Sequence, residues 1–358
     1  MTKPLRVGIV GANAARGWAR DSHRPALARL AQFTLAAVSA RTQALAEEAR
    51  AAFGADRAYG DSIALVRAPD LDVIAVTVKV PEHRAVVLAA LEAGKHVYCE
   101  WPLGRDLAEA QEMAAAVKHG QHVMIGLQGL SAPAVRQAAR LIREGAIGRP
   151  KVLRVFSPTA GWGAEAPQHY AYLQDKRTGA TLETIAGGHT LAALEAIVGP
   201  YVEVDARSST LVEKVRIQGS SEVMQRTCAD HMMILGKHDS GCVSTLEVIG
   251  GVATQPFVLE LIGERGWLKI TGGRAGGYQV GNLHLQSNAS SESEPASVLP
   301  ELGDGPAEYL AEAYTRFAED IRTGTRTVPD FTVATRLTRL LDKIDVAAES
   351  GVRQHMEG

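Results

Sequence analysis

The feature that most constrains this chain is a regular alternation within its first 126 residues. Short runs rich in β-branched residues predict strands at 5–10, 34–39, 73–78, 96–99 and 122–125. The longer amphipathic stretches between them predict helices at 16–30, 42–53, 81–93 and 107–118. Strands joined by helices of this length form right-handed crossovers in a parallel sheet that is covered on both faces. Residues 1–126 are therefore predicted to form a doubly wound α/β domain.

The pattern changes in the remainder, residues 127–358. Helices are predicted at 133–144, 181–198, 306–322 and 331–348, with a long irregular segment at 157–178 and a surface loop at 287–298. Strands are predicted at 152–156, 204–209, 227–235, 243–249, 257–262 and 267–270. Consecutive strands without helices between them favour a largely antiparallel sheet. The second domain is therefore predicted to be α+β.

Composition excludes several classes of protein. A formal net charge of −2 over 358 residues, with dispersed Lys and Arg, gives no basis for direct binding to nucleic acid or to an anionic membrane. Cys99, Cys228 and Cys242 are far apart and form no CxxC pair, which favours a reducing compartment. No apolar run approaches the roughly 20 residues of a membrane span, and no His, Cys, Asp or Glu cluster has metal-ligand spacing. We expect a cytoplasmic protein without a bound metal.

The first strand runs directly into a glycine turn with the sequence GANAARGW. In a GxGxxG turn, glycines allow the backbone to approach a pyrophosphate. Here Asn13 replaces the second glycine and Arg16 the third, so the alternative is a tight turn that binds nothing. The strand before it and the βα repeats after it favour nucleotide binding. The candidate cofactor residues in this turn are Gly11, Asn13, Ala14, Arg16, Gly17 and Trp18.

The end of the second strand indicates the type of coenzyme. A carboxylate there hydrogen-bonds the adenosine ribose of NAD, whereas NADP-binding proteins carry neutral or basic groups. This chain has Ser39 and Arg41 and no carboxylate in that segment, and both side chains can donate hydrogen bonds to a 2′-phosphate. We expect NADP, with NAD as the alternative. The competing interpretation of Arg41 is a solvent-exposed residue at the sheet edge.

Residues 76–104, VTVKVPEHRAVVLAALEAGKHVYCEWPLG, resemble the Gfo/Idh/MocA oxidoreductase family. Its members carry a P-x-x-H turn, an A-L-E-A-G-K-H-V junction and an E-K-P motif, and all three have counterparts here in the same order. The resemblance covers the whole first domain. It adds the following candidate cofactor residues: Thr77, Val80, His83, Glu100, Trp101, Pro102 and Gln128.

The resemblance implies a Rossmann domain followed by a domain with a large, open, mostly antiparallel sheet. It also implies that one face of this sheet forms a homodimer or homotetramer interface. The nicotinamide and a sugar-like substrate are expected in the cleft between the domains.

Two departures from the family pattern bear on catalysis. Trp101 replaces the lysine of E-K-P, and Ile185 replaces an aspartate four residues before the retained His189. With these two replacements and its GLQG and GATLETIAGGHTLAAL segments, the chain resembles a branch of the family that contains a fungal galactose-regulon repressor.

Three side chains are candidates for proton transfer. His189 occupies the position of the family's histidine, with a backbone-bonded helix residue as the alternative. Lys176 and Tyr172 come from the irregular segment before it and are candidates to replace the missing lysine; the alternative is a solvated loop face. The expected function is an NADP-dependent oxidoreductase acting on a sugar, polyol or related hydroxyl or carbonyl compound. The alternatives are a non-catalytic NAD(P)-sensing co-regulator and a sugar-binding module with a structural coenzyme.

Overall fold

The computed structural model describes residues 3–289 and 305–356. They divide into two compact units: residues 3–128 with 305–335, and residues 129–289 with 336–356. The sequence predicted one boundary, after residue 126. The structure instead groups residues 305–335 with the first unit.

The first unit is built around a six-stranded sheet of order β3-β2-β1-β4-β5-β6, in which all pairings are parallel. Its strands are β1 Leu5–Val10, β2 Phe33–Ser39, β3 Arg57–Tyr59, β4 Val73–Val76, β5 His96–Glu100 and β6 Val123–Gly126. The order reverses between β1 and β4, as in a doubly wound fold. The predicted parallel Rossmann sheet is confirmed.

The helices of this unit are α1 Arg24–Leu27, α2 Gln43–Phe53, α3 Ser62–Val66, α4 Val80–Glu92, α5 Leu107–Ala115 and α8 Pro306–Thr323. Helix α2 shows why these elements form where they do. The Thr42 hydroxyl accepts a hydrogen bond from Leu45 N at 3.3 Å, and Gly54, with a φ of 73°, ends the helix. Strand β3 and helix α3 are too short to show a periodicity, so no sequence pattern predicts them.

The long helix predicted at 16–30 does not form. The chain makes a π-helical turn at Ala19–His23 and then only one turn of α1. The Asn13 side chain accepts hydrogen bonds from Ala15 N at 3.0 Å and Arg16 N at 3.1 Å, and Gly17 has a φ of 100°. This side-chain turn competes with helical bonding, so the helix begins late.

The second unit contains an eight-stranded sheet of order β16-β15-β14-β7-β13-β12-β9-β17. Every pairing is antiparallel except β7 with β13, which confirms a large, mostly antiparallel sheet. Its strands are β7 Pro150–Pro158, β9 Tyr201–Ser209, β12 His231–His238, β13 Val243–Ile249, β14 Phe257–Gly263, β15 Trp267–Gly272, β16 Leu283–Ser287 and β17 Gln354–His355. The helices are α6 Pro133–Arg143, α7 Gly188–Val198 and α9 Phe331–Ser350, whose first residues belong to the first unit.

A small second sheet of order β11-β10-β8 lies in the segments that the sequence left without regular structure. Its strands are β8 Glu165–Pro167, β10 Lys214–Gln218 and β11 Val223–Gln225. The buried Arg226 guanidinium donates to Gly163 O, Val212 O and the Gln174 side chain, and it pairs with Asp230. These bonds give the short strands a shared anchor that no sequence periodicity reveals.

Other boundaries in the second unit also differ from expectation. The strand predicted at 227–235 is found at His231–His238, and the helix predicted at 181–198 begins with a π-helical turn, Glu183–Gly187. The part of the predicted surface loop beyond residue 289 lies outside the described residues. Among the described residues, none of the helices is both long enough and apolar enough to cross a membrane.

Helix α8 explains why a late segment belongs to the first unit. Leu310, Tyr314 and Phe317 recur at three- and four-residue spacing, and each is completely buried. They join a core cluster that includes Val7 of β1 and Val73 of β4. One face of α8 therefore packs into the core of the first unit, although α8 lies nearly two hundred positions after β6 in the sequence.

Truncation of this face should destabilise the protein. We expect Phe317→Ala to lower the free energy of unfolding by about 3–5 kcal/mol, since a fully buried aromatic ring leaves a cavity. The exposed Glu319→Ala on the same helix should change it by less than about 0.5 kcal/mol. Chemical denaturation of both variants measures the difference. Equal small effects would show that α8 does not support this core.

Candidate functional site

A cleft of about 760 Å³ lies at the carboxyl ends of the first unit's strands. Such ends, at the point where strand order reverses, are where doubly wound sheets bind ligands. The predicted cofactor residues that line it are Gly11, Asn13, Ala14, Arg16, Arg41 and Thr77. The nucleotide-binding prediction therefore coincides with a concave surface of suitable size.

Backbone hydrogen bonds connect the glycine turn and the end of β1 to the neighbouring strands. Gly11 N and Ala12 N donate to Ser39 O at 3.1 and 2.9 Å, and Thr77 N donates to Val10 O at 2.9 Å. Gly11 has a φ of 98°, and a Cβ there would lie 2.9 Å from Val78 N. Only glycine satisfies both conditions. Because glycine has no side chain, a ligand can approach the backbone of this turn closely.

Positive side chains border the cleft. Arg16, Arg41 and Lys79 line it. Within the described part of the chain, neither Arg16 nor Arg41 forms an ion pair or a side-chain hydrogen bond. Uncommitted guanidinium groups suit phosphate binding, because each presents several N–H donors. The residues present therefore fit a dinucleotide.

Ser39 does not take the position expected of it. Its side chain is completely buried, and its hydroxyl lies 3.2 Å from the Ser62 hydroxyl. It is therefore not among the residues that line the cleft, whereas Ser62 is. Successive side chains along a strand point to opposite faces of the sheet, and at the end of β2 this alternation directs the Ser39 side chain into the protein interior.

His83 and Val80 are also buried rather than lining the cleft. The His83 ring nitrogens lie 2.9 Å from Pro102 O and 2.9 Å from Val78 O. Burial lowers the pKa of His83, while the nearby carbonyl oxygens of Val78, Leu103 and Pro102 raise it in part. This histidine ties the loop after β4 to the loop after β5. Trp101, only 5% exposed, and Pro102 belong to that second loop and are buried with it.

Glu100, at the end of β5, forms a network of polar contacts. Its Oε1 atom lies 3.1 Å from Trp18 Nε1 and 2.6 Å from His23 Nε2. His23 Nδ1 lies 2.8 Å from the Tyr314 hydroxyl. The structure thus brings the predicted cofactor residues Trp18 and Glu100 into direct contact, and His23, which the sequence did not predict, contacts the same carboxylate oxygen.

Gln128 and Gly17 lie apart from these contacts. The Gln128 side chain is buried, and its Oε1 atom has no hydrogen-bond partner among the described residues. Such an unsatisfied acceptor is costly unless a ligand or water meets it. Gly17 is exposed, and a side chain added there would meet nothing within 4 Å.

The second unit places His189 in the first turn of α7. The residue is buried, and its Nδ1 atom has no hydrogen-bond partner among the described residues. Burial lowers the pKa of His189 to about 3. Tyr278 donates a hydrogen bond of 2.7 Å to the carbonyl oxygen of His189. The site therefore holds a neutral imidazole with an unused nitrogen.

Lys176 and Tyr172 are placed differently from His189. Lys176 pairs with Asp345 at 3.3 Å, and this carboxylate raises the pKa of Lys176. Lys176 also lines a pocket of about 160 Å³ with Glu183, and neither His189 nor Tyr172 is among that pocket's described lining residues. Burial raises the pKa of Tyr172 to about 12, so its hydroxyl keeps its proton. The structure does not group the three predicted catalytic side chains at one pocket.

Several cleft residues were not predicted. Lys79 directly precedes α4 and Glu82 lies in its first turn. Glu48 lies on α2, Asp61 directly precedes α3, and Ser62 is the first residue of α3. The signal available for Lys79 was its place just after a predicted strand. Asp61 and Ser62 follow a strand too short to recognise.

Comparison with known proteins agrees with this architecture. A model described as an oxidoreductase family with an NAD-binding Rossmann fold matches residues 5–127, and a model of the Gal80p C-terminal domain matches residues 133–272. The galactose/lactose metabolism regulatory protein GAL80 of Kluyveromyces lactis is 30% identical over 308 residues, which cover 79% of this chain and 67% of that protein. The chain belongs to the Gfo/Idh/MocA oxidoreductase family.

Enzymes are also among its relatives. Levoglucosan dehydrogenase of Pseudarthrobacter phenanthrenivorans is 29% identical over 225 residues, covering 60% of this chain and 56% of that enzyme. A solved structure of a levoglucosan dehydrogenase, in complex with NADH and levoglucosan, is 22% identical with a TM-score of 0.82. The structural match covers 99% of this chain and 100% of the levoglucosan dehydrogenase chain. That likeness shows a shared fold over the full chain.

Proposed function

We propose that this protein is an NADP-dependent oxidoreductase that transfers a hydride to or from a sugar, polyol or related small hydroxyl or carbonyl compound. The observation that carries this proposal is the cleft at the strand ends, bordered by two uncommitted arginines. Family membership and the similarity to a levoglucosan dehydrogenase support the reaction class and the substrate class.

The preference for NADP rests on the end of β2. Arg41 lines the cleft there, and residues 40–42, which lie between β2 and α2, include no carboxylate. A guanidinium attracts a 2′-phosphate, whereas a carboxylate repels it. Asp61 also lines the cleft, but its Oδ1 atom already accepts a hydrogen bond from Ile63 N at 2.8 Å. Arg41 is therefore the residue on which the choice of coenzyme depends in this proposal.

Charge reversal at Arg41 tests this choice. We expect Arg41→Asp to raise the dissociation constant of NADP by about tenfold to a hundredfold and to leave that of NAD nearly unchanged, since only NADP carries the 2′-phosphate. Arg16→Gln is the control, and it should weaken both coenzymes by similar factors because the pyrophosphate is common to them. Calorimetry of each of the two variants with NADP and with NAD measures these dissociation constants. Tighter binding of NAD than NADP by the natural protein would overturn the preference.

The bound nicotinamide would supply or accept the hydride, so the protein has to orient the substrate and handle one proton. We assign the proton to His189. With its pKa near 3, the neutral ring is a poor base when the site is empty but a good hydrogen-bond partner for a carbonyl or hydroxyl oxygen. Tyr278 holds the backbone of this residue in place. Ile185 and Trp101 supply no replacement proton carrier at the family's other two positions.

Removal of this imidazole should reduce catalysis while sparing the coenzyme site. We expect His189→Asn to lower kcat by about 10²- to 10⁴-fold, with unchanged affinity for NADP. The exposed His169→Gln should change neither quantity. Because His189 is neutral above about pH 4, kcat/KM should show no inflection from its ionisation between about pH 5 and 9. An unaltered kcat in His189→Asn would exclude it from proton transfer.

A second candidate function is a non-catalytic, nucleotide-sensing regulator. The matching Gal80p domain model and the similarity to a yeast regulatory protein favour it, as do Trp101 and Ile185. The same kinetic panel separates the two functions. Protein that binds NADPH but transfers no hydride with any sugar, polyol or carbonyl compound would favour the regulator, and turnover with one of them would exclude it.

We also propose that the large sheet forms a homo-oligomer. Alternate residues on neighbouring strands expose apolar side chains on one face: Met233, Leu235, Val243, Ile262 and Trp267. Exposed apolar patches of this kind mark protein interfaces. We expect light scattering of the natural protein to give the mass of at least two chains. The double variant Leu235→Glu, Trp267→Glu should have the mass of a single chain. A natural protein of single-chain mass would refute this proposal.

A further inference from the structure

The carboxylate of Glu100 is surrounded by hydrogen-bond donors and aromatic rings. Trp18 and His23 contact its Oε1 atom, and the side chain is 16% exposed. Within the described residues, no lysine or arginine pairs with it. Tyr98 and Tyr314 are completely buried and stack with ring centroids 5.2 Å apart. Among the described residues, this carboxylate is held in place by Trp18 and His23 rather than by a lysine or an arginine.

The proton on His23 follows from the neighbouring tyrosine. Burial raises the pKa of Tyr314 well above its usual value, so its hydroxyl keeps a proton that needs an acceptor. Within the described part of the chain, His23 Nδ1, at 2.8 Å, is the hydrogen-bond partner of this hydroxyl. Tyr314 therefore donates to Nδ1, and the ring donates through Nε2 to the Oε1 atom of Glu100. This network fixes the carboxylate in one position.

A glycine keeps room for this charge. A Cβ added at Gly126 would lie 2.7 Å from Glu100 Oε2 and 2.9 Å from the Tyr98 hydroxyl. The carboxylate thus occupies the space that a side chain on β6 would fill. Its position is set by the sheet rather than by a mobile loop.

The strand order places this charge relative to a bound coenzyme. Arg41 follows β2 and Glu100 ends β5, on opposite sides of the β1–β4 pair. A dinucleotide bound across the strand ends puts its adenosine half on the β2 side and its nicotinamide half on the other. Glu100 therefore lies on the nicotinamide side.

We propose that Glu100 is a specificity-determining residue that favours the oxidised over the reduced coenzyme. The oxidised nicotinamide ring carries a positive charge and the reduced ring is neutral, so a fixed carboxylate attracts only the oxidised form. Trp18 and His23 act as positioning residues that hold the carboxylate. This inference rests on the proposed binding of NADP, and it holds whether the protein is an enzyme or a sensor of the coenzyme's redox state.

The test is the ratio of two dissociation constants, for NADP⁺ and for NADPH, measured by calorimetry. We expect Glu100→Gln to weaken NADP⁺ relative to NADPH by about tenfold, because the variant keeps the shape and removes the charge. Trp18→Lys should change the ratio in the same direction, since it places an ammonium group beside the carboxylate. This second variant answers the question should Glu100→Gln fail to fold.

Two control variants separate charge from structure. Trp18→Phe breaks the hydrogen bond to Glu100 but keeps the charge, so the ratio should stay the same even if both affinities fall. Glu48→Gln removes a carboxylate from the α2 side of the cleft, where the two forms of the coenzyme are identical, and should also leave the ratio unchanged. An unchanged ratio in Glu100→Gln and Trp18→Lys, or an equal change in Trp18→Phe, would overturn the proposal. A natural protein that binds neither coenzyme would instead refute the proposed function itself.

Discussion

The close approach of β1 and β4 at their carboxyl ends is the constraint on which the rest of the candidate site depends. Thr77 bonds Val10 O through both its backbone N and its hydroxyl, at 2.9 and 2.8 Å. Gly11 then turns away with a positive φ, in a space where Val78 leaves no room for a side chain. Because this junction is closed, the chain on either side must diverge, and the cleft opens between the diverging segments. Arg16 reaches the cleft from the segment after β1, and Arg41 reaches it from the segment after β2.

Both units place a polar candidate residue on or beside a π-helical turn. In the first unit the turn Ala19–His23 ends with the histidine that contacts Glu100. In the second, the turn Glu183–Gly187 comes directly before α7 and His189. A π-helical turn shifts the side chains that follow it relative to an α-helix, and such turns are frequent at functional sites. The two buried imidazoles therefore owe their directions to local departures from α-helical geometry.

The chain has no ionisable side chain at the two positions where the family carries a lysine and an aspartate. Trp101 is buried, and Ile185 has no polar atom beyond its backbone. The remaining candidate group of the second unit is the neutral imidazole of His189, and that of the first unit is the carboxylate of Glu100. A neutral hydrogen-bond partner is adequate for polarising a carbonyl, and a fixed charge is adequate for distinguishing redox states of a coenzyme. This combination is compatible with catalysis and with sensing, and only the presence or absence of hydride transfer separates them.

The amino-acid sequence by itself determined the type of most long elements, the helix predicted at 16–30 excepted, as well as the Rossmann sheet and the family. These depend on periodicity and on motifs that are contiguous along the chain. It also predicted Gly11, Arg16 and Arg41 as cofactor residues, and all three line the cleft, since their positions follow directly from the strands before them. Tertiary structure alone decided that Ser39 and His83 are buried, because the direction of a side chain at a strand or helix end depends on what packs against it. It alone brought Trp18, His23, Glu100 and Tyr314 together, since contacts across up to 291 positions leave no local pattern.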